Sequence, residues 1–142
     1  MAYAAAMRKK VFISGPIQGV ENEQAYRQII SEICARLGCE TIDPWLREKI
    51  IYRKNEPCWW SNVPETDFVE RDLADIERCN VLIAYLPKLS AGACMELFYA
   101  KSKGKKVIVV SDMAYLSPWI VVHSDKIVKC FEELEDALKQ VL

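Results

Sequence analysis

Residues 80–110 constrain the fold more than any other part of the chain. They run in the order apolar segment, turn, short helical segment and second apolar segment. Asn80–Leu86 has the continuous apolar character of a buried strand, and a break at Pro87 follows it. Residues 93–101 have helical spacing, and Lys106–Val110 has the pattern of the next strand. Two buried strands joined by a helix predict a parallel pair with the helix covering one face.

The rest of the chain repeats this alternation. Further strands are predicted at Lys10–Ser14, 39–42 and 126–130, and further helices at 21–37, from Thr66 or Asp67 to about Arg78, and at 131–142. This order predicts a single-domain, three-layer α/β sandwich around a five-stranded parallel sheet. Residues 44–66 are rich in Trp and Pro and long for a loop, so we expect them to be functional or partly helical.

Length and charge limit what the chain can do. Its 142 residues suffice for one domain with a single core, and 51% hydrophobic with 27% charged residues is ordinary for a soluble protein. The formal net charge of −1 argues against a nucleic-acid polymer or a membrane as the main partner. The apolar segments are also too short to cross a bilayer.

The start of the chain and its cysteines bear on the compartment. Residues 1–9 are predicted to be a flexible extension of a domain spanning 10–142. The basic residues 8–10 follow the apolar start, which is the wrong order for a secretory signal, so we expect a cytoplasmic protein. The cysteines form no C-x-x-C pair, which argues against structural zinc and against a disulfide framework. Most of the six are interpreted as small buried apolar residues. The six are Cys34, Cys39, Cys58, Cys79, Cys94 and Cys130.

Glu96 is the first candidate for a catalytic acid. It lies three residues after Ala93 and four before Ala100, on the apolar side of its helix. The helix follows the carboxyl end of a predicted parallel strand, where open α/β sheets bind ligands. The alternative is a carboxylate that only benefits from the dipole of the first helical turns, worth about 0.3–1 kcal/mol.

Asp72, in the preceding helix, is the second candidate. It lies three residues after Val69, inside the apolar stripe that faces the sheet, whereas Asp75 and the other charged residues can reach solvent. An aspartate on an inner face needs a partner, because burying an unpaired charge is costly. The alternative is a structural carboxylate bonded to the backbone or to either Arg47 or Arg53.

Together these acids indicate chemistry at a sugar. Two inward carboxylates flanking one strand end are a minimal requirement for double-carboxylate glycosidic chemistry. Ser90 either starts its helix or helps to hold an anion at the helix N-terminus. The Gly15–Gly19 loop is neither a dinucleotide fingerprint nor a Walker A sequence, and it is either a phosphate cradle or a tight turn. The only histidine, His123, has no G-x-S-x-G partner motif and is interpreted as a surface or packing residue.

Three segments in a fixed order carry a family resemblance. They are Val11–Gly19, Asp72-Leu73 followed by Asn80–Ala84, and Ser90–Ala100 with Gly104. Together they span about residues 10 to 110. In order and spacing they resemble the nucleoside 2-deoxyribosyltransferase family, especially its branch of 2'-deoxynucleoside 5'-phosphate N-hydrolases and CMP N-glycosidases. The resemblance implies a flavodoxin-like fold and an active form that is a homodimer or a higher homo-oligomer.

The resemblance also implies roles for single residues. Glu96 corresponds to the nucleophile that attacks the anomeric carbon, and Asp72 to the acid that assists the departing base. The loop after the first strand would wrap the sugar and its 5' end, and Ser117 would contact phosphate from the neighbouring subunit. The implied substrate-binding residues are Ser14, Gly15, Pro16, Ile17, Gln18, Gly19, Ser90, Gly92 and Ser117.

Two departures from the family pattern bear on the substrate. Ser90 stands where transferases acting on unphosphorylated nucleosides carry an aspartate, and a hydroxyl accepts a nearby phosphate that a carboxylate would repel. Phe12 stands where many members have a tyrosine that hydrogen-bonds the nucleophile. We therefore expect a less firmly oriented nucleophile and leave open the choice between ribose and deoxyribose.

The sequence thus predicts an enzyme that hydrolyses the N-glycosidic bond of a nucleoside 5'-monophosphate. A glycosyl ester on Glu96 would form, and free base and (deoxy)ribose 5-phosphate would be released, with the base stacked on Trp59 or Trp60. No metal or organic cofactor is expected. Two alternatives remain open: a transferase that exchanges bases on free deoxynucleosides, and a non-catalytic nucleotide-binding domain.

Overall fold

A computed structural model of the protein describes residues 8–51 and 65–142, with side chains for 8–50 and 69–142. Five strands form its central layer: β1 (Lys10–Ser14), β2 (Glu40–Ile42), β3 (Val81–Tyr85), β4 (Lys106–Val110) and β5 (Lys126–Val128). Their order in the sheet is β2-β1-β3-β4-β5, and every neighbouring pair is parallel. The predicted five-stranded parallel sheet is confirmed.

Helices cover both faces of this sheet. They are α1 (Tyr26–Arg36), α2 (Trp45–Ile51), α3 (Glu65–Arg78), α4 (Ala91–Ser102), α5 (Pro118–Val122) and α6 (Leu134–Val141), with a 3-10 turn at Phe131–Glu133. α1 and α6 pack on one face, and α3, α4 and α5 on the other. The described residues therefore form the three-layer α/β sandwich that the alternation predicts. None of their helices has the length and apolar character that a membrane span requires.

Side chains along the inner strands alternate between two hydrophobic cores, one on each face. Ile83 and Ile108 point to the α1 and α6 side, whereas Leu82 and Val109 point to the α3 and α4 side. All four are fully buried, which stabilises the fold by about 1.5–3 kcal/mol for each side chain. Because both faces are covered, the strands have unbroken apolar sequences.

Two predicted helix starts were wrong. α1 begins at Tyr26 rather than at residue 21, since residues 17–24 form turns in which Val20 N–H donates to the Ile17 carbonyl. The amide of Gln24 also donates to the Pro16 carbonyl at 2.9 Å, which ties this segment to the loop after β1. α3 begins at Glu65, before the predicted caps. The expectation that residues 44–66 are partly helical is confirmed by α2.

Some predictions lie outside the described residues. These are the nature of residues 1–7, the base-stacking role of Trp59 or Trp60, the burial of Cys58 and the pairing of Arg53. The domain boundary at residue 10 stays a prediction.

Candidate active site

A cleft opens at the carboxyl ends of β1 and β3. These strands are neighbours, but β1 leads to α1 on one face and β3 leads to α4 on the other. The divergence leaves a crevice of the kind in which open α/β sheets bind ligands. The cleft has a volume of about 530 Å³, and its walls come from Gly15–Gly19, α2, α3 and the first turns of α4.

Glu96 reaches this cleft from the second turn of α4. Ser90 caps the helix, since its hydroxyl accepts a hydrogen bond from Ala93 N–H at 3.4 Å. The hydroxyl of Ser14, at the end of β1, donates to Glu96 Oε1 at 2.7 Å. Burial raises the pKa of Glu96 to about 8, whereas the Ser14 hydrogen bond favours the ionised form. The Glu96 carboxyl is thus oriented and close to the balance between its two charge states.

Ser14 supplies the hydrogen bond to Glu96 that the sequence analysis expected to be missing. Phe12 is fully buried in the core and offers no hydroxyl, but the nucleophile candidate is held by the Ser14 hydroxyl instead. Sequence reasoning placed Ser14 only in the substrate loop. Strand alternation predicts the face of the sheet on which a side chain lies, but not which residue of α4 it contacts. Ser14 is itself fully buried and lies behind the cleft wall.

The Gly15–Gly19 loop is fixed by two residues of α1. The buried guanidinium of Arg27 donates to the carbonyl oxygens of Ile13 and Gly15, at 3.1 and 3.3 Å, and pairs with Asp43 at 2.8 Å. A Cβ atom at Gly15 would lie 2.7 Å from Cζ of Tyr26, so only glycine fits beside that ring. Arg27 therefore has a structural role in the site. Nothing in the sequence around Arg27 predicts this role.

Asp72 enters the same cleft from α3. It is 7% exposed, and its Oδ1 lies 3.4 Å from Nη2 of Arg47 and 3.9 Å from Nε of Arg71. Burial raises the pKa of Asp72, while a hydrogen bond with Glu48 and the two arginines lower it, and the net direction is upward. The inward orientation predicted for Asp72 is confirmed. Arg47 is one of the partners that the structural alternative named for this carboxylate.

Glu48, in α2, is a site residue that sequence reasoning missed. It is 1% exposed, lines the cleft and lies within hydrogen-bonding reach of Asp72. Burial, followed by the negative charge of Asp72, raises the pKa of Glu48 to about 9. The apolar residues Leu46 and Ile50 are 56% and 73% exposed, so hydrophobic spacing points to the wrong face of α2. Asp43 is a sequence signal for the start of α2, because its carboxylate accepts a hydrogen bond from Trp45 N–H at 3.0 Å.

Two expectations about α3 were wrong. Asp75 was predicted to reach solvent but is 2% exposed, and it pairs with both Arg47 and Arg78. Val69 was placed in the stripe that faces the sheet, yet it is 52% exposed and lines the cleft. The buried face of α3 therefore includes Asp72, Asp75 and Ile76 and not Val69. Ion pairs with arginines offset the cost of burying the two carboxylates.

The cleft brings together most of the predicted site residues. Those that line it are Gly15, Pro16, Ile17, Gln18, Gly19, Asp72, Ser90, Gly92 and Glu96. Ser117 lies elsewhere and caps α5, where its hydroxyl accepts from Trp119 N–H at 3.3 Å. Its contact with phosphate across subunits stays a prediction. The described residues hold no group of three His, Cys, Asp or Glu side chains that could bind a metal ion.

Comparison with known proteins decides the family. The sequence profile described as nucleoside 2-deoxyribosyltransferase matches residues 3–135 of this chain. The chain belongs to this family. Its members are enzymes that transfer glycosyl groups or cleave glycosidic bonds, and they act on nucleosides or nucleotides. No match is found among curated protein sequences.

Three solved structures illustrate the shared fold. A 2-deoxyribosyltransferase from Bacillus psychrosaccharolyticus is 15% identical with a TM-score of 0.70, and the match covers 89% of this chain and 90% of that one. A conserved protein from Enterococcus faecalis V583 is 17% identical with a TM-score of 0.74, over 95% and 99% of the two chains. The CMP N-glycosidase BcmB of Clostridium botulinum is 22% identical with a TM-score of 0.60, over 93% and 99%. At these identities the likeness concerns the fold.

Proposed function

We propose that this family member hydrolyses the N-glycosidic bond of a nucleoside 5'-monophosphate and releases free base and a pentose 5-phosphate. The observation that carries the proposal is that the carboxyl groups of Glu96 and Asp72 line one cleft at the carboxyl ends of β1 and β3. Double displacement at a sugar needs two such groups, one as nucleophile and one as acid and base.

Glu96 is the proposed nucleophile. Its carboxylate attacks the anomeric carbon and forms a glycosyl ester while the bond to the base breaks. The Ser14 hydrogen bond supports this role, because it fixes one carboxylate oxygen and leaves the other for attack. Since burial raises the pKa of Glu96 to about 8, we expect activity to rise as the pH approaches that value.

Asp72 is the proposed general acid and base. It delivers a proton to the leaving base, and in the second half of the reaction it accepts a proton from the water that hydrolyses the ester. The raised pKa of Asp72 supports this assignment, because burial makes this carboxyl easier to protonate than an exposed aspartate.

The first turn of α4 supports a 5'-phosphate as part of the substrate. Its backbone N–H groups, with Ser90 and Gly92, border the cleft, and the exposed Lys88 lies beside them. A helix N-terminus stabilises an anion through its free N–H groups and its dipole. Ser90 supplies a hydroxyl at the position where a carboxylate would repel phosphate, and one protein of similar fold is named a CMP N-glycosidase.

The test is incubation with a panel of nucleosides and 5'-monophosphates, with chromatography of the products. We expect free base and pentose 5-phosphate from monophosphates, with much slower release from unphosphorylated nucleosides. Mass spectrometry of protein quenched during turnover should find pentose phosphate on the peptide that contains Glu96. Base release without any such adduct from an active enzyme would contradict the double-displacement route.

The second candidate is base exchange on free deoxynucleosides, which the likeness to a 2-deoxyribosyltransferase favours. Both reactions share the ester on Glu96 and differ in whether water or a second base attacks it. Adding an acceptor base to the same panel separates them, because exchange yields a new nucleoside and hydrolysis yields free sugar phosphate.

A further inference from the structure

We infer that Glu48 is a positioning residue for the proposed reaction: it shares one proton with Asp72, so that the pair supplies the proton that the leaving base takes. The inference rests on the proposed function and adds a third carboxyl group to it. It begins from the position of Glu48 in the cleft lining, next to Asp72.

Contact between two carboxyl groups requires a proton. Glu48 Oε2 is buried and has no hydrogen-bond donor among the residues that the structure describes. Glu48 and Asp72 lie within hydrogen-bonding reach of each other, and two ionised carboxylates there would repel. A buried acceptor without a donor is costly, and one proton between the two groups removes both costs.

The charges around Asp72 keep the negative charge of the pair on that residue. Arg47 of α2 and Arg71 of α3 lie 3.4 and 3.9 Å from its Oδ1, whereas Asp75 of α3 opposes them weakly because it is itself paired with Arg47. In the resting state the arginines therefore favour an ionised Asp72.

The charges around Glu48 place the proton there. It faces Asp72 from α3 and Glu96 from α4, both negative when ionised, and among the described residues Arg27 of α1 opposes them as a positive charge. Burial acts in the same direction as the two acids and raises the pKa of Glu48 to about 9. At neutral pH the pair holds one proton, which rests on Glu48 beside the ionised Asp72.

The shared proton balances the reaction. In the first step the pair gives one proton to the base, the electron pair of the glycosidic bond leaves with the base, and Glu96 bonds to the anomeric carbon. Both members of the pair are then ionised. In the second step water attacks the ester, Glu96 leaves as a carboxylate, and the proton of the water returns to the pair through Asp72.

Leaving-group dependence tests this role. We would compare Glu48→Gln and Glu48→Leu with wild type on AMP and on 7-methylguanosine 5'-monophosphate, whose cationic base departs without a proton. For AMP, or the ordinary monophosphate that the wild type prefers, we expect kcat/KM to fall by about 10–100-fold. For the methylated substrate we expect a change below about threefold, because its base needs no proton.

The pH profile gives a second readout. An amide at position 48 donates a hydrogen bond to Asp72 and keeps it ionised, so the alkaline limb of the Glu48→Gln profile should move to lower pH. Glu70→Gln, at an exposed position of α3, is the matched control and should resemble the wild type. Equal losses on both substrates, or an unmoved alkaline limb, would overturn the inference.

Infrared spectroscopy tests the proton without turnover. In a Glu96→Gln background at pH 7, the band of a protonated carboxyl should be present and should disappear on adding Glu48→Gln. Persistence of the band would overturn the shared proton. Failure of the wild type to cleave any nucleoside or nucleotide would instead overturn the proposed function, and the infrared result would still report on the pair.

Discussion

The two sides of the cleft hold their carboxyl groups in different ways. On the sheet side, which we call the floor, Glu96 accepts a hydrogen bond from a neutral donor, the Ser14 hydroxyl, at 2.7 Å. On the helical side, which we call the wall, Glu48 and Asp72 meet each other, and Arg47 binds Asp72 at 3.4 Å. The floor offers one hydroxyl hydrogen bond, whereas the wall offers a proton and a compensating cation.

This difference matches two chemical needs. A nucleophile has to be ionised and aimed, and a single hydroxyl donor orients a carboxylate without neutralising it. A general acid has to keep a proton near neutral pH, and contact with a second carboxyl does this by making full ionisation unfavourable. The comparison predicts that changes to the floor act on attack, whereas changes to the wall act on departure of the base.

Removing the floor carboxylate should have the largest effect. We expect Glu96→Ala to lower turnover of the preferred monophosphate by a factor on the order of 10⁴ or more, because no nucleophile remains. The variant should melt no more than a few degrees below wild type. The reason is that burial of the Glu96 carboxyl is unfavourable for its ionised form, so its removal costs little stability. Chromatography of released base and a thermal melt check both statements, and near-normal activity would contradict the double displacement.

Removing the wall acid should have the next largest effect. Asp72→Asn keeps a polar side chain beside Arg47 but cannot carry the proton, so we expect a loss of about 10²–10³-fold with ordinary bases. Burst kinetics would show slower formation of the glycosyl ester. An equal loss with a substrate whose base needs no proton would assign Asp72 to binding or folding instead.

The fold and the position of Glu96 in the floor could largely be predicted from the sequence. Continuous apolar strands separated by helical segments specify a parallel sheet, and Glu96 follows a strand end at a fixed spacing. The position of Asp72 could be predicted because helical periodicity placed it on the inner face of α3. These inferences needed only local periodicity and the connection rules of parallel sheets.

The other charged residues of the wall could not be predicted from the sequence, for a physical reason. Glu48 and Asp75 are charged residues in buried positions, and hydrophobic patterning assigns such residues to the surface. Asp75 is buried with Arg47 as its partner, and Arg47 also pairs with Asp72, on the same helix as Asp75. Glu48 is buried beside Asp72. Pairing between distant segments leaves no periodic signal in either one, so only the tertiary structure reveals it.

Weakening the floor without removing it should have a smaller effect. Ser14→Ala removes the hydrogen bond that favours ionised Glu96, so the pKa of Glu96 should rise further. We expect the acidic limb of the kcat/KM profile to move to higher pH, with about tenfold lower activity at pH 7. Activity should approach that of wild type at higher pH. Ser102→Ala, at an exposed position of α4, is the control, and an unmoved acidic limb would contradict the role of Ser14.

The smallest predicted effect is on stability and concerns the wall. The pKa of Glu48 is about 9 in the folded protein, above its ordinary value of 4.5, so the folded state binds a proton that the unfolded state has released. This contribution to the free energy of unfolding is complete below about pH 4.5 and is lost as the pH rises toward 9. Glu48→Gln does not titrate, so its stability should fall less over this range, by at least about 1 kcal/mol, which is the contribution of a shift of one pKa unit.

Urea unfolding at pH 5, 7 and 9 measures this difference. Glu96 also loses a proton in this range, but it does so in both proteins and cancels in the comparison. The curves of wild type and of the exposed-site variant Glu70→Gln should coincide, while that of Glu48→Gln should diverge upward with pH. Parallel curves for all three would mean that Glu48 is already ionised in the folded protein, and the contrast between floor and wall would then reduce to the Ser14 hydrogen bond alone.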